Sequence, residues 1–348
     1  MKISIGFITY NNSTYKYLKF FITSLEESIK EAKKYLTDLS FNFLIVDNSD
    51  HDYLSNYSYL IDHFKTQDNY KIFRSESNLG FAKAYNKMIN WSIEKGDDLF
   101  LMLNPDVLLD INFIKKIILA FKDSPEASVL APKILYWDFK NNIKTNIIDS
   151  YGLGLTRSHY FFDINQGRED FLQKKEEIRE IFGFTGAGAL LNLKRLVKVA
   201  YKGENYLEFF DELMFMYKED VDLSYRLQIL GEKIFFIPEA IMYHDRTLSK
   251  NKYLNLLSFR GRDISRSRSF LNQLIILYKI RKIPFSCKIR LFTFIRSAII
   301  LLYGLIFENK QIKKFKEIHL EIEKKHQYSS INPGEIKKIE GFMKGLTY

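Results

Sequence analysis

The sequence predicts an α/β protein: an open, mostly parallel sheet flanked by helices, followed by a basic helical region. Three observations predict it. Four apolar, β-rich runs between Ile3 and Asp106 each stop at polar residues. Segments with helical spacing of apolar residues alternate with them. Beyond residue 250 the texture changes to long apolar stretches studded with Lys and Arg. Strands alternating with helices favour parallel pairing. Ligands of such sheets sit beyond the carboxyl ends of the strands, and Tyr10, Asp47, Asn78 and Asp106 all fall there.

The elements follow in order. Residues 3–10 form a first strand that ends at Asn11-Asn12-Ser13. Leu18, Phe21, Ile22, Leu25 and Ile29 then mark a helix over 15–35. An apolar run at 41–46 is closed by Asp47. A third strand lies in 70–78, a helix covers 81–95, and DLFLMLNPD at 98–106 is a fourth strand. The charged segment 163–181 is expected as a mobile loop or exposed helix. GFTGAGALL at 183–191 resumes the core. A helix near 219–230 is stopped by Gly231. KIFFIP and AIMYH read as a strand pair broken by Pro238.

Composition bounds the function. The chain has 348 residues, 46% of them hydrophobic, with 30 Phe, 22 Tyr, 16 Gly and 6 Pro. That can bury a large core and argues against disorder. Residues 251–348 carry 20 Lys and Arg against 7 Asp and Glu, a net of +13, whereas residues 1–250 have a net of −3. The positive charge is therefore regional, and an anionic partner such as lipid or polyphosphate is expected there. The longest uncharged stretch, Ser297–Phe307, is too short to span a bilayer, which takes about 20 apolar residues. Helices lying in the membrane interface, apolar face down, fit better; a buried helical subdomain or a homo-oligomer contact is the alternative. A nucleic-acid-binding protein would instead line a groove with charge and stacking aromatics. The lone Cys287 excludes an internal disulfide and fits a reducing, cytoplasmic compartment. The N-terminus lacks a signal-peptide shape.

Two runs carry the chemistry: Leu103-Asn104-Pro105-Asp106, and Phe210-Asp211-Glu212 leading into Tyr217-Lys218-Glu219-Asp220-Val221-Asp222-Leu223. A carboxylate at a strand end can hold a metal ion. One opening a helix can act as a base, because helix N-terminal amides favour its ionised form. Together they suggest group transfer from an activated phosphate ester. Asp222 and Arg226 are spaced for a structural ion pair on one helical face.

Seven motifs occur in order: FITYNN, VDNSD, NLGFAKAYN, LNPD, GAGALL, FFDELMFMYKEDVDLSYRLQILG and IPEAIMYH. Together, over residues 3–247, they resemble the inverting family 2 glycosyltransferases, in particular the rhamnosyltransferase-like branch of bacterial surface-polysaccharide synthesis. The resemblance implies a GT-A fold, a Rossmann-like mixed sheet flanked by helices, over residues 1–250. Residues 251–348 then form a basic amphipathic helical region, associating with a membrane or another subunit.

The resemblance also implies roles. The donor is a nucleotide-sugar and the cofactor Mg²⁺ or Mn²⁺. Asp106 is the expected metal ligand in a site where the family more often has Asp-x-Asp, and Asn104 would bond donor hydroxyls or ribose. His244 would lie near the diphosphate and metal, or be structural. Asp220 is the expected base, with Glu219 beside it in acceptor recognition; helix capping is the alternative. Asp47 would accept the imide N–H of a pyrimidine, with Thr9, Tyr10 and Asn11 around the base. Asn78 and Gly80 form a tight turn where the backbone would approach the nucleotide. Gly186 and Ala187 would floor the donor sugar, or serve close strand packing. dTDP-rhamnose is one donor; UDP-galactose, UDP-N-acetylhexosamine and UDP-galactofuranose are others. The acceptor is expected to be a glycan or a lipid-linked sugar at the inner face of the cell membrane, and a nucleic-acid partner is not expected.

Overall fold

The computed structural model describes residues 1–170, 177–203, 206–246, 264–325 and 331–344. The first half alternates as expected: β1 (Lys2–Thr9), α1 (Asn11–Lys33), β2 (Ser40–Asp47), α2 (Ser55–Phe64), β3 (Tyr70–Arg74), α3 (Gly80–Glu94) and β4 (Leu99–Leu103). Leu18, Phe21, Ile22, Leu25 and Ile29 of α1 are all buried against the sheet, which is why this helix forms on that face. All five residues of β4 are buried, as a central strand requires. Gly6 on β1 is needed there, since a Cβ would lie 2.2 Å from the Phe100 ring on β4.

The second half adds β5 (Val107–Leu109), α4 (Phe113–Asp123), β6 (Ala127–Asp138), β7 (Ile143–Ser150), β8 (Leu153–Leu155), β9 (Phe161–Asp163), β10 (Arg179–Glu180), β11 (Gly188–Asn192), α5 (Leu193–Leu196), β12 (Tyr201–Lys202), β13 (Leu207–Glu208), α6 (Glu219–Ile229) and β14 (Lys233–His244). The main sheet has ten strands in the order β10-β14-β6-β11-β4-β1-β2-β3, with β5 beside β14 and β7 beside β6. Pairing is parallel from β4 through β3 and antiparallel where β11 inserts. The fold is therefore a mixed α/β sheet flanked by helices.

Two expectations are corrected. Lys233–His244 is one strand, not a pair: Pro238 sits in a register shift between Ile237 and Ile241 that absorbs its missing N–H. The segment 163–181 is a loop rather than a helix in its described part, and the correction is to its exposure: Asp170 is buried in an ion pair with Lys133 at 2.8 Å. Residues 171–176 of that segment lie outside the described residues, as do residue 250, where the first region was expected to end, and 260–263 of the expected basic run.

The C-terminal region is helical: α7 (Ile264–Ile280), α8 (Cys287–Phe307), α9 (Asn309–Lys325) and α10 (Pro333–Lys344). Leu271, Ile275, Ile322 and Ile339 from these helices share a core with Phe182, Val221 and Tyr225. The apolar stretch of α8 is longer than Ser297–Phe307. An 18-residue stretch of this 21-residue helix has a mean hydropathy of 1.8 and meets the length and composition of a membrane span, with only 11% of that stretch buried. It is fixed at both ends. The amide of Ser286 donates to Glu340 Oε1 at 2.7 Å. Near the other end Gly304 packs so closely that a Cβ would lie 2.6 Å from Phe270 and 2.7 Å from Ile312.

Candidate active site

Strand register assembles the site along the carboxyl edge of the sheet. Thr9 lies beside Asp47, and Asp47 beside Arg74. Gly188 pairs with Leu103 and His244 with Val107, which brings the chain ends after β4, before β11 and after β14 together.

The arc begins at Asp220. Its Oδ2 accepts the amide of Gly186 at 2.9 Å and its Oδ1 that of Val221 at 2.8 Å. The N-cap of α6 is Lys218, so Asp220 is not the capping residue. Ala187 accepts the Asn104 amide at 3.0 Å. Two residues on, the half-exposed Asp106 places Oδ2 3.4 Å from His244 Nε2, while its Oδ1 is buried and has no partner among the described residues. His244 is buried and its Nδ1 is held by Asp149 Oδ2 at 2.8 Å. Asp149 also meets Arg246 at 3.0 Å, and Arg246 reaches Asp163 at 2.7 Å.

These contacts set the protonation. Burial disfavours a charged His244, but Asp106 and Asp149 outweigh it and push its pKa up to about 10. Burial pushes Asp220 above the usual carboxylate range, while the Gly186 and Val221 amides pull it back. Glu219 is buried, and its Oε2 has no partner among the described residues; burial first, then the neighbouring Asp220, raises it further. A neutral Glu219 beside an ionised Asp220 avoids two adjacent charges.

Asp106 and His244 fit a divalent cation. Among the described residues Oδ1 of Asp106 has no partner, and the Asp149 carboxylate on Nδ1 aims Nε2 of His244 at Asp106, so that a cation there would take the place of the Nε2 proton. Among the described residues no three His, Cys, Asp or Glu converge on one metal position. The protein therefore offers a carboxylate and an imidazole, leaving the other positions to water and phosphate oxygens, as Mg²⁺-type sites commonly do.

The other expected residues divide. Tyr10 is exposed at the edge. Thr9 and Asp47 are fully buried: Asp47 accepts from the Thr9 hydroxyl at 2.9 Å, the Ser49 hydroxyl at 2.5 Å and Arg74 at 3.0 Å. Direct contact of Asp47 with a base is closed in this arrangement unless Arg74 moves. Asn11 bonds the 49–56 loop, with its amide on Ser49 at 2.9 Å and its side chain on Asp50 at 2.7 Å. Asn78 Oδ1 caps the Gly80 amide at 2.8 Å. Gly80 has φ +74, and what approaches it is protein: a Cβ would lie 2.6 Å from the Phe215 carbonyl, which accepts the Phe81 amide at 2.7 Å. The expected approach of nucleotide to Gly80 is thus replaced by the loop that leads into α6.

That loop was not anticipated. Phe215, Tyr217 and Lys218 all have positive φ, at 57, 73 and 66, each costing about 1–3 kcal/mol. Asn272 on α7 holds it: its Nδ2 lies 2.9, 2.9 and 2.6 Å from the carbonyls of Met214, Met216 and Tyr217. Below it, the buried Lys279 of α7 bonds Asp211 at 2.5 Å and Asp222 at 2.6 Å, and Asp222 pairs with Arg226 at 2.9 Å as expected. A polar Asn in an apolar helix was the only signal for Asn272. Asp149 and Arg246 gave none.

The family model described as glycosyl transferase family 2 matches residues 4–194, more than half of the chain. The chain belongs to glycosyl transferase family 2. No curated protein matches it. Among solved structures, it is similar to "Crystal structure of GalNAc-T7 with UDP, GalNAc and Mn2+" with a TM-score of 0.58 and 14% identity, covering 96% of this chain and 59% of that one. It is also similar to S. aureus TarS (TM-score 0.49, 15% identity, 88% and 44% covered). A third is the mannosyltransferase PcManGT from Pyrobaculum calidifontis in complex with GDP-Man and Mn2+ (0.46, 13%, 99% and 80%). This family 2 chain thus spans less than two thirds of the first two structures' chains. The GalNAc-T7 likeness shows a shared fold of GT-A type, a mixed sheet flanked by helices.

Proposed function

We infer that this family 2 protein is an inverting, metal-dependent glycosyltransferase that moves a sugar from a nucleotide-sugar to a hydroxyl of a glycan or lipid-linked acceptor at a membrane surface. The observation that carries the reading is the arc from Asp220 through Gly186 and Asn104 to Asp106 and His244. It puts a partly exposed carboxylate at one end of a run of bonded residues and the Asp106–His244 pair at the other.

In this reading Asp220 takes the proton of the acceptor hydroxyl, whose oxygen bonds to the anomeric carbon as the bond to the diphosphate breaks with its electron pair. Attack from the face opposite the leaving group inverts the carbon. Gly186 and Val221 hold the Asp220 carboxylate in place through their amides. Glu219, expected beside the acceptor, is buried and stays neutral beneath Asp220, so that Asp220 carries the single charge that faces the acceptor. Asn104 and the exposed Tyr10 bind the donor, and Gly186 and Ala187 pass beneath its sugar. A divalent cation on Asp106 and His244 supplies countercharge for the leaving diphosphate. Mn²⁺, named for the GalNAc-T7 structure, is the first cation to try, with Mg²⁺ second.

The motif order favours the rhamnosyltransferase-like branch and surface-polysaccharide synthesis, so dTDP-rhamnose is the leading donor and the UDP-sugars above are the alternatives. The exposed apolar face of α8, with Phe294, Ile299, Leu302 and Ile306 each more than 60% exposed, favours lipid over nucleic acid as the anionic partner. That both ends of α8 are tied to the protein favours a helix lying along the interface over one crossing it, and the reading puts that interface at the cytoplasmic face. The test is a panel of nucleotide-sugars with Mn²⁺ or Mg²⁺, scored by nucleoside diphosphate release. One donor should be turned over only with the cation. A panel with no binding and no turnover would refute the reading.

A further inference from the structure

A cavity of about 410 Å³ lies between α7, α8 and α9, within the size range of small-ligand sites. Leu274, Leu277, Leu301 and Phe315 give it apolar walls. One side follows a stripe on α8 from Arg290 through Thr293, Phe294 and Ser297 to Leu301, about 16 Å at helical rise. Phe294 lines the cavity and is itself 70% exposed, so the opening joins the apolar outer face of α8.

Its polar groups are few and specific. Arg281 is occupied, bonding Glu323 and the Tyr278 carbonyl. Arg290 is exposed and, among the described residues, no acidic group pairs with it. His159 lines the cavity fully buried, and its Nε2 has no partner among the described residues. Its Nδ1 bonds the hydroxyl of Tyr225 on α6, the helix that Glu219 and Asp220 open.

We propose that this cavity holds the chain of a single-chain lipid phosphate, with the phosphate at Arg290 and the chain along the Thr293–Leu301 stripe. The walls match a hydrocarbon chain, the unpaired guanidinium matches a phosphate, and the mouth opens where the membrane is placed. The proposal rests on the membrane-surface reading and deepens it: the acceptor's lipid anchor is taken up by the enzyme while its sugar reaches Asp220. His159 joins the lipid site to the catalytic helix through Tyr225.

The full chain is tested by thermal shift with dodecyl phosphate below its micelle-forming concentration, against inorganic phosphate. Co-sedimentation with phosphatidylglycerol–phosphatidylcholine vesicles is measured in parallel. Dodecyl phosphate should raise the melting temperature and inorganic phosphate should not. Thr293→Trp, which fills the cavity, should abolish the shift and still sediment with vesicles. Arg290→Gln should weaken dodecyl phosphate binding about tenfold. No shift with dodecyl phosphate, or an undiminished shift in both variants, overturns the lipid site. Vesicle binding that persists in that case leaves the membrane reading standing. A shift without vesicle binding supports the site and removes the membrane reading instead.

Discussion

The carboxylate of Asp220 accepts the backbone amide of Gly186 at 2.9 Å, so the end of one helix and the turn before a central strand are held as one unit. Gly186 also limits the space: a Cβ there would lie 3.1 Å from the Phe81 ring and 3.6 Å from Asp220 Oδ2. Gly186→Val should therefore crowd the base and lower turnover by tenfold or more, on the order of 1.4 kcal/mol of barrier. Steady-state kinetics that match wild type would show that the turn does not fix the base.

The acidic pair makes activity and stability depend on pH in opposite directions. Asp220 must be ionised to accept a proton, and its pKa is raised by burial. Activity should therefore fall as pH drops, with a midpoint above the usual carboxylate value of about 3.9. Glu219 is raised further by burial and by Asp220. A raised folded pKa means stability is full below the unfolded value and is lost as pH rises through the folded one. Glu219→Gln should show a melting temperature that gains on wild type as pH rises. A constant or reversed gap would contradict a buried, neutral Glu219.

Asp149 is predicted to act on the cation through His244. Asp149→Asn weakens the carboxylate grip on Nδ1 and should raise the Mn²⁺ concentration for half-maximal activity about 10- to 100-fold. Activity at saturating Mn²⁺ should recover most of its value. An unchanged Mn²⁺ titration would remove His244 from the cation site.

Much of this was legible in the sequence, and the limits have physical causes. Strand ends are local patterns, so Asp47, Asn78 and Asp106 could be placed on the sheet edge from apolar runs alone. The helix of Glu219 and Asp220 was marked by its first-turn acids and by Gly231, which has φ +71. Partners that depend on register were hidden. Asp149 comes from the β6–β7 hairpin and meets His244 only because β14 runs alongside β6. Gly80 announced a tight turn, but nothing local said that Phe215 would fill the space. Asn272 reaches its three carbonyls from 55 to 58 residues away.

The C-terminal helices should be inseparable from catalytic-region stability. Lys279 is buried between Asp211 and Asp222; burial opposes ionisation of Asp211, but Lys279 and Lys325 hold it below the usual carboxylate range. Lys279→Met leaves two buried acids short of a cation and should cost about 3 kcal/mol, read as a lower denaturant midpoint at unchanged m-value. A loss below about 1 kcal/mol would show that this bridge is not structural.

Asn272→Ala tests the strained loop. Releasing three carbonyls should let Phe215, Tyr217 and Lys218 relax, moving Asp220. The turnover number should fall at least tenfold with KM for the donor nearly unchanged. A variant that loses stability but keeps its turnover number would make Asn272 merely structural.

The central claim is that Asp220 is the base of a glycosyl transfer. The direct measurement is single-turnover sugar transfer by Asp220→Asn, with donor affinity measured on the same preparation. The account predicts a loss of about 10² to 10⁴ in transfer rate with nucleotide-sugar binding and melting temperature preserved. Transfer at the wild-type rate would contradict it.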